Sequence, residues 1–349
     1  MPAITSPESD TKVLITGGTG YLGAWILRTV LESESGYIAI AVVRSESKGK
    51  YLREKFKTFG DRFQIVCIPD MQKDGAFDEI VRDVHGIIHV ASPIHNEEGE
   101  PSKIIDPAVK SVTGLLNSVL KYGTLVKRIV FTSSCSTIWD ELSSGKIFKD
   151  PEATWNEAAI TECAEKGKHA RPAAKYMASK VLAERAAWDI WHNNKDAVGW
   201  DLSVIIPAWV FGPHIHEASK PEDLTGSLEL WYSAVVRGEH VLGEPSPGEG
   251  WVDVRDCAEA HLRALEVPAA GGERILTCAS SPFKWQDWVD TANAIDPPPF
   301  HTIAKELPCD TELFAIYRSS KAQDILGLKY RSMKEVTADT LIGFSEWGW

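Results

Sequence analysis

Continuous apolar runs recur along the chain, separated by stretches whose apolar residues are spaced three or four apart. Val13–Thr16, Ile38–Val43, Phe63–Ile68, Gly86–Ala91, Arg128–Thr132 and Leu202–Ile206 read as strands buried on both faces, because they are unbroken rather than alternating. Between the first two, Leu22, Ile26 and Val30 stand four apart within Tyr21–Glu32 and make one apolar helical stripe. Strand, helix, strand in succession predicts right-handed crossovers and an α/β fold, a doubly wound parallel sheet of the Rossmann type.

The pattern changes after Pro207, where Pro213, Pro221, Gly226, Pro245, Pro247, Gly248 and Gly250 cut the chain into short pieces. Order returns at Trp251–Asp256, Ala258–Leu265 and Arg274–Cys278, and Pro297-Pro-Pro299 punctuates the carboxyl-terminal part. This predicts a nucleotide-binding domain from residues 10–208 and 251–279. Residues 209–250 and 280–349 would form a smaller, irregular α+β domain for the substrate.

The chemistry begins in the first strand-to-helix turn. Thr16-Gly17-Gly-Thr19-Gly20-Tyr21-Leu22-Gly23 has the TGxxGxxG spacing that brings backbone N–H groups and a helix N-terminus up to a dinucleotide pyrophosphate. The second run ends on Arg44, with Lys48 four residues on, where an NAD site would place an acid. A guanidinium there suits the 2′-phosphate of NADP(H). Asp70 and Met71, after the third run, are placed to border the adenine.

Tyr176 and Lys180 stand four apart among strong helix formers and share a helical face. An ammonium beside a phenol stabilises the phenolate, so the pair is expected to lower the Tyr176 pKa. Thr132-Ser133-Ser134 ends the fifth run, which puts the Ser134 hydroxyl at the carboxyl edge of the sheet, where open α/β folds bind ligands. Together Ser134, Tyr176 and Lys180 predict the reduction of a carbonyl group.

These motifs, together with His89-Val-Ala-Ser-Pro93, Pro207-Ala-Trp-Val-Phe-Gly-Pro213 and Trp251–Asp256, span nearly the whole chain. The sequence resembles the extended short-chain dehydrogenase/reductases, in particular the dihydroflavonol-reductase-like branch with its fungal NADPH-dependent aldehyde and ketone reductases. The resemblance implies a catalytic triad of Ser134, Tyr176 and Lys180, with Tyr176 and Lys180 also meeting the cofactor. It implies further cofactor contacts at Ala91, Ser92, Pro93, Thr132, Pro207, Ala208 and Val210. Pro93, Ser134, Ile138, Trp139, Tyr176, Trp209 and Phe211 would line a pocket for a hydrophobic carbonyl substrate. Sugar-nucleotide dehydratases carry an acid pair shortly after the catalytic hydroxyl, whereas Ser136-Thr137-Ile138-Trp139 holds none. Cinnamoyl-CoA reductases have a different motif around the tyrosine, which Pro172-Ala-Ala-Lys-Tyr176 does not reproduce. A nicotinamide-retaining epimerase or dehydratase, and a non-catalytic NADPH sensor, are the alternative readings.

Composition narrows the partners. A formal net charge of −12 disfavours nucleic acid and anionic membrane surfaces. The longest clean apolar run, Ile38–Val43, is far below the ~20 residues of a membrane span. The six cysteines show no metal or dithiol spacing, and a cytoplasmic protein with reduced thiols is expected. No metal is expected at His214-Ile-His216-Glu217 either, for want of a partner motif. The resemblance implies a monomer or homodimer.

Overall fold

A computed structural model describes residues 3–5, 10–92, 99–138, 146–239, 250–301, 303–307 and 315–349. Its strands are β1 (Lys12–Thr16), β2 (Ile38–Val43), β3 (Phe63–Cys67), β4 (Gly86–His89), β5 (Arg128–Thr132), β6 (Lys146–Phe148), β7 (Asp201–Pro207), β8 (Trp209–Phe211), β9 (Trp251–Asp253), β10 (Arg274–Thr277) and β11 (Ala315–Tyr317). The first five helices are α1 (Tyr21–Glu32), α2 (Glu46–Lys55), α3 (Ser102–Tyr122), α4 (Glu157–Lys166) and α5 (Pro172–Asn194). They are followed by α6 (Gly226–Tyr232), α7 (Val254–Glu266), α8 (Trp285–Asn293), α9 (Lys321–Leu326) and α10 (Met333–Glu346). No helix among the described residues is long and apolar enough to cross a membrane.

The central sheet is seven-stranded and parallel, in the order β10-β7-β5-β4-β1-β2-β3. All six apolar runs are strands of it, although β3, expected to be buried on both faces, is only partly buried because it is an edge strand with one neighbour. Arg274–Thr277 adds the seventh at the edge of β7. Successive strand residues point to opposite faces. Leu14, Ile40, Ile87, Ile129 and Leu202 therefore pack on the side of α3 and α5. Val13, Ala41, Ile88, Val130 and Ile205 pack on the side of α1 and α7. A side chain of this kind, fully buried, contributes about 1.5–3 kcal/mol.

A third core joins Phe211, Leu228, Trp231, Trp251, Trp285, Trp288, Val336 and Phe344. It is built from the segments after Pro207, with β8 and β9 paired in parallel beneath it. Helix α9, although late in the chain, packs Ala322 and Leu326 into the core under α7. The strand order reverses between β1 and β4, so the carboxyl ends of these two strands open the crevice in which such sheets bind ligands.

Candidate active site

Glycine is required at two points of the β1–α1 turn. Gly17 has φ +74, and a Cβ there would lie 2.9 Å from the Ala91 backbone nitrogen, so the turn lies directly against the end of β4. At Gly23 a Cβ would fall 2.1 Å from the Gly17 carbonyl oxygen, which lets α1 start hard against the turn. The N-cap of α1 is Gly20, with no side-chain cap and no acid in the first turn. Its free N–H groups and positive dipole end therefore suit a pyrophosphate.

Arg44, Asp70, Met71, Ala91 and Ser92 share one cavity of about 220 Å³ beside this turn. Arg44 is exposed at its mouth. Ser111, from α3, is a buried hydroxyl on the same wall that sequence reasoning missed, because nothing in the local pattern distinguishes it from a core serine. Lys48 lies on the exposed face of α2 and does not line the cavity; its backbone N–H is held by the Ser45 cap at 3.4 Å.

Helix α5 starts on Pro172 at its first turn and carries Tyr176 and Lys180 on one face. The Lys180 ammonium lies 5.8 Å from the Tyr176 ring centre. The Ser134 hydroxyl is hydrogen-bonded to that of Tyr176 in the sense that favours the phenolate, with Ser134 donating, and the Ser134 oxygen accepts from the Ser136 N–H at 3.2 Å. The structure thus brings all three residues together at the carboxyl edge of β5.

The electrostatics differ from the sequence expectation. Burial raises the Tyr176 hydroxyl to about 12, against the Ser134 hydrogen bond, so the phenol keeps its proton. Burial also pushes the Lys180 ammonium down to about 8, with the Glu184 carboxylate opposing the fall. Activity that needs a charged Lys180 should therefore decline as pH rises through about 8. The folded-state pKa lies below the ordinary lysine value, so the folded protein holds fewer protons than the unfolded chain between these two values. Stability rises with pH across that window, and below it the cost of a buried charge is fully felt. Lys180→Met should thus melt at a higher temperature than wild type at pH 7 while losing turnover. A lower melting temperature in calorimetry would contradict the buried-charge account.

Other predicted contacts have protein partners of their own. The Thr16 hydroxyl accepts from the Val90 and Ala91 N–H groups, both at 3.1 Å, and donates to His89 Nδ1 at 2.9 Å, which uses its full capacity. The Thr132 hydroxyl donates to His261 Nε2 at 2.7 Å, since Nδ1 of that ring gives its hydrogen to the Cys257 carbonyl. Tyr21 donates to the Gly212 carbonyl at 2.7 Å and ties α1 to the third core, while Leu22 packs in the α1 core. The Val210 carbonyl accepts from Ser227 at 2.6 Å. Thr19 is half-buried in the glycine turn, and Pro207 and Ala208 are buried where β7 runs into β8.

Among the predicted pocket residues, Phe211 is fully buried, edge-to-face with Trp285 and Trp288 at 5.6 and 5.1 Å. Ile138 is 2% exposed within the α3–α5 core. Both are packing positions as they stand. Trp209 is half-buried and offers an aromatic wall. Pro93 and Trp139 lie outside the described residues. His214 and His216 are buried, His214 being stacked on Trp349 at 4.8 Å.

A family model for NAD dependent epimerases and dehydratases matches residues 13–279, which include the glycine turn, Ser134, Tyr176 and Lys180. The chain belongs to this NAD dependent epimerase/dehydratase family. Within the family it is 34% identical to the ketoreductase azaE of Aspergillus niger, over 96% of this chain and 98% of that one. It is 30% identical to the NADPH-dependent methylglyoxal reductase GRE2 of Saccharomyces cerevisiae, over 94% and 96% of the two chains. The crystal structure of yeast methylglyoxal/isovaleraldehyde reductase Gre2 with NADPH superposes with a TM-score of 0.81 at 29% identity, covering 96% of this chain and 99% of that one.

The family fold also brings in residues that sequence reasoning did not assign. His89, at the end of β4, is held neutral with its pKa near 3 by burial and then by the Lys180 charge. Its Nδ1 accepts from Thr16, so the hydrogen sits on Nε2. Glu184 is fully buried one turn beyond Lys180 and is paired with Arg274 of β10 at 2.6 Å. The signal for Glu184 was its spacing of four from Lys180. Arg274 had none, because its approach depends on how β10 joins the sheet.

Proposed function

We propose that this protein is an NADPH-dependent reductase of aldehydes and ketones, in which Tyr176 protonates the carbonyl oxygen, Ser134 orients it and Lys180 supplies the neighbouring positive charge. The observation that carries this reading is the meeting of Ser134, Tyr176 and Lys180 at the carboxyl edge of the sheet, with the Lys180 ammonium 5.8 Å from the Tyr176 ring and the Ser134 hydroxyl bonded to the phenol. The names of the ketoreductase and methylglyoxal reductase relatives support it.

The residues present fit the cofactor. The uncapped start of α1 would take the pyrophosphate, Arg44 the 2′-phosphate, the cavity with Asp70, Met71, Ala91 and Ser92 the adenosine, and Lys180 the ribose hydroxyls. Bound NADPH supplies the hydride that reduces the carbonyl carbon. Ser134 accepts the Ser136 N–H, which fixes its oxygen and leaves its hydrogen for an incoming carbonyl or for Tyr176. Tyr176 gives its proton as negative charge develops on the substrate oxygen, and the Lys180 ammonium steadies the resulting phenolate. Trp209 and the aromatic core behind it favour a hydrophobic substrate.

Residues 10–208 and 251–279 would form the cofactor lobe, with α9 packed onto it, and 209–250 with the rest of 280–349 the substrate lobe. A cytoplasmic monomer or homodimer is part of the same reading. NADPH oxidation across aryl ketones, β-ketoesters, diketones and aliphatic aldehydes, with NADH alongside, tests it. Turnover with NADPH is expected. Tightly bound NAD with no net oxidation would instead favour an epimerase. Arg44→Asp should raise KM for NADPH about 10- to 100-fold, the scale of a lost charged hydrogen bond, and leave that for NADH nearly unchanged. Equal changes for both coenzymes would remove Arg44 from the phosphate site.

A further inference from the structure

Tyr176, Lys180, Glu184 and Trp188 follow one another at four-residue intervals along one face of α5. Glu184 is 0% exposed, and its carboxylate is saturated. Oε1 accepts from Trp188 Nε1 at 3.1 Å and Arg274 Nε at 2.6 Å. Oε2 accepts from the Ser133 hydroxyl at 2.5 Å and Arg274 Nη2 at 3.4 Å. Arg274 Nη2 also donates to Thr137 Oγ1 at 3.1 Å, and the Thr137 hydroxyl donates to the Ser134 carbonyl at 2.9 Å. The turn that presents Ser134 is therefore gripped on both sides, at Ser133 by Glu184 and at Thr137 through the arginine that Glu184 neutralises.

We propose that Glu184 is a positioning residue for the carbonyl-reducing site, acting on Ser134 through the Ser133 and Thr137 contacts and on Lys180 through its charge. The inference rests on the proposed reductase reading. A buried ion pair contributes little net stability compared with an apolar filling of the same volume. The worth of this one lies in the three elements it joins: the helix with Tyr176 and Lys180, the turn with Ser134, and β10.

Among the described residues, the groups facing Lys180 are Tyr176 and Glu184 on its own helix and neutral His89 from β4. Of the neighbouring helices, α4 has Glu157 and Glu162 engaged with Arg185 and Arg171. The charged side chains of α3, Lys103, Asp106, Lys110 and Lys121, are at exposed positions. Among the described residues, Glu184 is thus the anion that opposes the burial of Lys180.

The test is the pH profile of kcat for NADPH oxidation, with a carbonyl substrate that the wild type reduces. Glu184→Gln should move the alkaline limb down by about one pH unit, the size of a lost close charge, with KM for the carbonyl unchanged. Glu184→Asp restores the charge with a shorter reach. It should return the limb to the wild-type position and still lose about 10-fold in kcat through the slackened Ser133 contact. An unmoved limb in Glu184→Gln overturns the inference. Should that variant not fold, Glu184→Asp and Ser133→Ala decide: kcat lowered about 10-fold in both supports positioning, and wild-type kcat in both overturns it. Failure of the reductase reading shows separately, as a wild-type protein that oxidises no NADPH with any carbonyl.

Discussion

Tyr176→Phe should lower kcat by about 10²–10⁴-fold while NADPH affinity stays close to that of the wild type. The phenol ring is retained, so packing on α5 changes little, and only the hydroxyl bonded to Ser134 is lost. An ordinary phenol, titrating near ~10, is already protonated at neutral pH, and burial moves this one further in the same direction, to about 12, so the proton is in place for transfer. An interaction made only as charge builds on the substrate oxygen appears in kcat rather than in ground-state binding. Steady-state rates, together with fluorescence titration of NADPH into the variant, separate the two. Turnover within a few-fold of wild type would mean that the proton comes from elsewhere.

Asp201→Ala should cost about 3–5 kcal/mol of folding stability, measured by urea unfolding, because it strips the counter-charge from a guanidinium with no water around it. Arg128 and Asp201 are direct cross-strand neighbours on β5 and β7, and the Arg128 side chain is 0% exposed. Both ends of the fork engage the carboxylate, Nε with Oδ1 and Nη2 with Oδ2 at 2.7 Å. Nη1 meets the Ala264 and Val267 carbonyls at 2.7 and 2.6 Å, at the carboxyl end of α7, where a cation also complements the helix dipole. The packing leaves no slack. A Cβ on Gly271 would fall 2.0 Å from Asp201 Oδ2. Burial holds the Asp201 carboxyl above its ordinary value even against Arg128, and apolar side chains of similar volume often replace a buried ion pair at little cost. Replacing both together, Arg128→Met with Asp201→Leu, should accordingly recover most of the stability. A single variant as stable as wild type would show that the charge is compensated by another group.

The glycine turn and the Tyr176–Lys180 pair were legible because each is a local constraint. Gly17 and Gly23 answer a backbone clash within a few residues of themselves, and a spacing of four places two side chains on one helical face wherever that helix lies. The apolar runs were legible as strands for the same reason, but continuity did not tell a central strand from an edge strand, and Phe63–Cys67 is only partly buried.

Long-range packing decided the rest. Thr16 and Thr132, both read as cofactor contacts, give their hydroxyls to His89 and His261, which lie 73 and 129 residues away in the chain. Phe211 and Ile138 are apolar in either role, and only the closing of the aromatic and α3–α5 cores shows them as packing positions. The direction of the Tyr176 shift followed the same rule. Spacing reports a nearby ammonium but not the depth of burial, and burial is the larger effect. By itself the sequence determined the parallel sheet, the glycine turn and the shared face of Tyr176 and Lys180, since periodicity and backbone sterics act over one or two turns of chain. Tertiary structure alone decided which of those hydroxyls remain available, and brought Glu184 and Arg274 behind them, because desolvation and partner choice are set by segments that meet only on folding.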